Sequence, residues 1–161
     1  MHQHMIRLLL IALALFSSGV TARADDQVPF KGTFSGQVIS VTPVSQEVLV
    51  FGVSVSGIAT HLGSFEGEAE IVQNVVTGSY SGTFTWIAAN GDTVTGTFTG
   101  QLIPTATPGL FDNLEEITIT GGTRRFSNAT GHAVAVGQLD QTTLSFLFPF
   151  KGTISSIGSN N

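Results

Sequence analysis

The stretch Thr93-Val94-Thr95-Gly96-Thr97-Phe98-Thr99-Gly100 decides the fold class. Four threonines fall on one side, and Val94 and Phe98 fall with two glycines on the other. Successive side chains of an extended chain point to opposite faces, so this alternation marks a strand with one face buried. The glycines beside Val94 and Phe98 leave room for neighbouring rings and let a sheet curve tightly.

The same pattern recurs in both directions from this stretch. Eight runs of β-branched and aromatic residues alternate with small or polar ones, over Val28–Val41, Val48–Leu62, Phe65–Val76, Gly78–Ala89, Thr93–Ile103, Glu115–Thr120, His132–Leu139 and Thr142–Ile157. No segment between them keeps a helical period. Asn90-Gly91 predicts a two-residue type I′ hairpin, and Asp140-Gln141 a weaker last hairpin. Pro104–Asn113, with two prolines and Gly109, reads as the longest loop. Pro29-Phe30-Lys31-Gly32-Thr33 recurs as Pro149-Phe150-Lys151-Gly152-Thr153. First and last strands with matching faces can pair and remove both free edges of the sheet. The expected fold is therefore all-β, an eight-stranded antiparallel barrel.

The first 24 residues have the three-part pattern of a secretory signal. Arg7 precedes an apolar run from Leu8 to Phe16, and Ala22-Arg23-Ala24 offers small residues at a cleavage site. The run is shorter than the roughly 20 apolar residues that span a bilayer. The reading is a signal peptide over 1–24, cleaved near Ala24, and a single barrel domain over 25–161, secreted or periplasmic and not membrane-spanning once mature. Without Arg7 and Arg23 the basic residues are Lys31, Arg124, Arg125 and Lys151, against eleven acids. That balance argues against nucleic acid as a partner. The chain has no cysteine, which excludes thiolate catalysis and thiolate metal sites.

The polar residues offer no convergent set in sequence. His61 and His132 lack an obvious third ligand, so structural or solvated roles are expected and no metal is called. Glu66, Glu68 and Glu70 alternate with Gly67, Ala69 and Ile71, which reads as a charged outer strand face that discourages edge pairing. Asp112, Glu115 and Glu116 read as an acidic cluster beside the long loop. Asn128-Ala129-Thr130 fits a glycosylation acceptor but is read as coincidence within a turn. The apolar face is richer: Phe34, Phe84, Trp86, Phe98 and Phe148 are the interior candidates for contact with a ligand, and Phe30, Phe146 and Phe150 share their pattern. Bulky rings without a polar partner favour a filled core over a hollow one.

The segment Ile119-Thr120-Gly121-Gly122-Thr123-Arg124-Arg125-Phe126-Ser127-Asn128-Ala129-Thr130-Gly131-His132-Ala133 resembles the Gly-Gly-Thr-Gly-x-Phe-x-x-Ala-x-Gly signature of the allene oxide cyclase and dirigent barrel superfamily. The resemblance rests on Gly121, Gly122, Thr123, Phe126 and Gly131, and implies an eight-stranded antiparallel barrel, often trimeric. Arg124 stands where the family has Gly, a costly residue if that position needs positive φ, so a different local geometry is expected there. The resemblance carries over no catalytic residue and no cofactor.

The functional expectation is an exported barrel that binds a small apolar ligand or a surface partner without catalysis. Two alternatives stand beside it: a cofactor-free cyclase or isomerase that confines an apolar substrate, and a structural, oligomerising barrel.

Overall fold

The structure is a computed structural model and describes residues 26–155. The expected signal peptide lies outside the described residues. Eight strands follow in chain order: β1 (Gln27–Pro43), β2 (Val48–Ala59), β3 (Gly63–Asn74), β4 (Ser79–Ala88), β5 (Thr93–Pro104), β6 (Leu110–Gly122), β7 (Gly131–Asp140) and β8 (Ser145–Ser155). Each pairs antiparallel with the next, and β1 with β8 completes a closed barrel. The recurring Phe-Lys-Gly-Thr segments form that seam, with Lys31 opposite Lys151, Phe30 opposite Gly152 and Gly32 opposite Phe150. β1 pairs with β8 over Gln27–Gln37 and with β2 over Gly32–Pro43. This offset is the stagger that a closed sheet requires.

Glycine opposite an aromatic ring is the packing rule of the interior. Gly82 lies across from Phe98, and Gly96 across from Phe84. A Cβ at Gly96 would stand 2.7 Å from the Phe84 ring, so the ring occupies the place of the missing side chain. A narrow barrel can hold this many rings because glycines on neighbouring strands leave them room, as for Phe150 at Gly32 and Phe65 at Gly57. Threonines 93, 95, 97 and 99 take the other face, and Glu66, Glu68 and Glu70 point outward from β3 as their alternation predicts.

One end of the barrel is plugged. Thr123–Thr130 links β6 to β7 through a 3-10 turn at Arg124–Phe126, and Phe126 is wholly buried in the core that includes Val94, Ile119 and Ile154. Gly131 begins β7 where a Cβ would overlap the Thr153 carbonyl. The four loops at the opposite end, residues 44–47, 75–78, 105–109 and 141–144, surround the mouth.

Four expectations are corrected. Residues 105–109 form a short turn, and β6 begins at Leu110, so half of the expected loop is strand; Pro104 ends β5 and Pro108 lies within the turn. The last hairpin turns over 141–144 and not at Asp140-Gln141. At Asn90-Gly91 only Gly91 has positive φ (83°), with its N–H bonded to the Ala88 carbonyl at 2.8 Å. This is a three-residue hairpin ending in a left-handed glycine, not a type I′ turn. Arg124 takes the left-handed conformation that suits glycine, with φ 52°. The backbone path is thus kept at a cost of roughly 1–2 kcal/mol. The Arg124 guanidinium offsets it by donating to the Asn90 carbonyl at 2.8 Å and pairing with Asp92 at 3.4 Å, while Arg125 Nε meets the other Asp92 oxygen at 2.6 Å.

Candidate functional site

Inward positions follow from strand parity. On β4 they are Tyr80, Gly82, Phe84, Trp86 and Ala88, and on β6 they include Asn113, Glu115, Ile117 and Ile119. Trp86 gathers the rings into a layer: Phe65 and Phe84 lie 4.6 Å from it between centroids, Phe34 5.5 Å and Phe150 5.6 Å. Toward the mouth, this layer borders a cavity of about 220 Å3. Phe34, Phe84, Trp86, Phe98 and Phe148 all line it, as does Phe146. Phe30 and Phe150 pack in the plugged half instead. The expectation of a filled core is therefore corrected. Phe30, Phe65, Phe126 and Phe150 fill the plugged half, and the wall toward the mouth recedes to Val38, Leu49, Phe51, Ala69 and Ile71.

Three polar side chains converge within this apolar wall. Tyr80 Oη is 2.7 Å from Asn113 Oδ1 and 2.7 Å from Glu115 Oε2. Tyr80 stands on β4 and its two partners on β6, two strand spacings away, or about 10 Å of backbone separation. The intervening β5 position is Gly100, opposite both Tyr80 and Glu115. A Cβ there would overlap the Tyr80 ring. The phenol reaches β6 only because β5 has no side chain at this point.

The group is almost dry. Asn113 is 2% exposed and Glu115 7%. Burial pushes the Glu115 carboxyl up to about 7, with the Tyr80 hydrogen bond pulling partly the other way. Burial likewise raises the Tyr80 hydroxyl, helped by the charge of Glu115 and the bond to it, and opposed by Asn113. Asn113 Nδ2 is buried with no hydrogen-bond partner. Such an orphan donor costs about 1–3 kcal/mol.

The sequence reading of Glu115 is corrected accordingly. Asp112 and Glu116 face outward, Asp112 accepting from Gln138 at 2.9 Å, but Glu115 points into the barrel. The signal that would have found it is the parity of Ile117 and Ile119, which carries inward orientation back to Glu115 and Asn113. His61 sits in a turn with φ 67° and Nε2 3.1 Å from the Pro29 carbonyl, and His132 faces outward from β7. Neither reaches the cavity. Among the described residues, no group of three or more His, Asp or Glu is placed to hold a metal ion. No described helix is long and apolar enough to cross a membrane.

A solved structure of a pterocarpan synthase dirigent protein superposes on this chain with a TM-score of 0.51, covering 81% of this chain and 91% of that one at 13% identity. The barrel is dirigent-like. At that identity the likeness concerns the fold. No protein-family profile and no curated protein matches the sequence. The motif residues of the dirigent-like barrel lie at its plugged end: Gly122, where a Cβ would stand 2.9 Å from Phe126 Cβ; Thr123, whose Oγ1 accepts from the Thr93 N–H at 3.0 Å; and Phe126 as the plug. They build the end wall and do not border the cavity.

Proposed function

We propose that the dirigent-like barrel holds a small, mostly apolar molecule in the cavity above Trp86, with one polar group of that molecule toward Tyr80, Asn113 and Glu115. The observation that carries this is the orphaned Asn113 Nδ2 in the wall of an otherwise apolar cavity. At about 220 Å3 the space is smaller than the roughly 300–1,000 Å3 of drug-sized sites. A monocyclic or short branched compound fits, and longer ones would project through the mouth. That a barrel of this fold is named a pterocarpan synthase supports a small organic molecule as the occupant. The signal pattern in residues 1–24 supports an exported setting, which N-terminal sequencing of the recovered protein tests.

Trp86 is the only tryptophan in the chain and lines the cavity, so its emission reports occupancy directly. Saturable change on titration with isopropylbenzene, lost in Ala69→Phe where a ring is added to the cavity wall, is the expected result. No saturable response in the wild type would overturn the proposal. A second reading, a cofactor-free isomerase or cyclase, draws support from the Tyr80–Glu115 pair. A carboxyl near neutral pH beside a phenol is suited to moving a proton.

A further inference from the structure

With Asn113 Oδ1 toward Tyr80, the hydrogens in the polar group do not suffice if Glu115 is ionised. Tyr80 has a single phenolic hydrogen, yet its oxygen lies 2.7 Å from two acceptors, Asn113 Oδ1 and Glu115 Oε2. Two such contacts need two hydrogens, and with Asn113 Oδ1 facing Tyr80 the second comes from the carboxyl. We propose that Glu115 is protonated in the resting barrel and heads a one-way chain, Glu115 to Tyr80 to Asn113 Oδ1, which reserves the Asn113 Nδ2 amide for an uncharged oxygen acceptor on the ligand, such as a carbonyl or ether. The inference rests on the ligand-binding reading and names the chemical class of the ligand.

The surroundings agree. The cavity is lined from all eight strands, and among the described residues Tyr80 and Glu115 are the only titratable side chains in that lining; no described Lys, Arg, His or Asp joins them. The remaining polar lining residues, Gln73 and Gln141, are neutral. An anionic ligand would find no counter-charge there and would meet a carboxyl that cannot ionise beside it. Burial already holds that carboxyl up near 7. As the pH rises past this value Glu115 becomes an acceptor and draws the Tyr80 hydrogen. Asn113 must then turn its amide toward Tyr80, so the donor is withdrawn from the ligand. The barrel is thus expected to hold a neutral acceptor in acid and release it in alkali.

Acetophenone and isopropylbenzene have nearly the same shape and differ by one carbonyl oxygen. Their affinities are measured by ligand-observed NMR from pH 5.5 to 8.5, alongside the 13C carboxyl titration of Glu115 in the empty protein. Acetophenone is expected to weaken about fivefold or more across the range, the worth of one hydrogen bond, while isopropylbenzene stays constant. Asn113→Leu should lower the acetophenone-to-isopropylbenzene ratio by a similar factor, and Glu115→Gln should keep acetophenone binding but make it independent of pH. A Glu115 midpoint below 5, or acetophenone affinity flat with pH, overturns the inference and favours the turned amide with an ionised carboxylate. Failure of both probes to bind with a midpoint near 7 overturns the ligand-binding reading and leaves the protonated chain standing.

Discussion

The two ends of the barrel solve opposite problems with the same alternating strands. At the plugged end the inward residues meet: Phe126, Phe30 and Ile154 are wholly buried, and the backbone strain at Arg124 is held by a buried Asp92. At the mouth the loops stand apart, and Val44, Val75, Val76 and Leu144 remain exposed. Between them the interior changes from filled to a cavity with a nearly dry polar group in its wall. The plugged half therefore carries stability, and the half toward the mouth holds a donor without a partner. Dense packing and the unpartnered donor occupy separate halves of one sheet.

The sharpest way to break this division is Phe126→Ala, which should cost about 3–5 kcal/mol by urea unfolding, since it empties a wholly buried site. Phe111→Ala, in the partly exposed wall near the mouth, should cost much less. Equal losses would remove the contrast between the ends.

Next in size is the pH effect of Glu115. Its carboxyl is raised from 4.5 to about 7 on folding, so the folded protein binds the extra proton between those values. Stability is then full below about 4.5, declines as pH rises through about 7, and is level above that. The upper bound is roughly 3 kcal/mol. Glu115→Gln should flatten this part of the unfolding free energy against pH.

Gly100→Ala tests the crossing of Tyr80 over β5. Overpacking of this kind costs about 1–3 kcal/mol. It should also detach Tyr80 from Glu115, seen as a shifted Glu115 13C titration. Loss of stability without that shift would mean the phenol reaches β6 by another path.

The smallest effect expected is at Arg124. Gly there relieves the left-handed backbone, whereas Ala gives up the guanidinium contacts and keeps the strain. Arg124→Ala should thus be less stable than Arg124→Gly by about 1 kcal/mol. At Asp92, burial works to raise the carboxyl, but the hydrogen bonds from Asn90 and Arg124 and the charge of Arg125 outweigh it and hold it below the usual carboxylate range. The stability it contributes should be lost as pH falls below about 4, opposite in direction to Glu115.

Much of this architecture could be read from residues alone. The alternation at Thr93–Gly100 assigns inside and outside correctly, the outward glutamates of β3 follow the same parity, and the repeated Phe-Lys-Gly-Thr marks the closing seam. The polar group was missed for a specific reason. Starting the sixth strand at Glu115 left Asn113 in a loop and Glu115 in an acidic cluster, although the isoleucines after it have its parity. Tyr80 was legible as inward but had no visible partner, because its partner lies two strands away.

The sequence by itself determined the all-β class and the face on which each side chain falls, since alternation is a property of extended backbone and needs no neighbour. Only the tertiary structure decided that Tyr80, Gly100 and Glu115 stand in one row, and that the interior stays open toward the mouth. Register and stagger come from pairing segments far apart in the chain. One glycine then joins a phenol to a carboxyl across a strand that touches both.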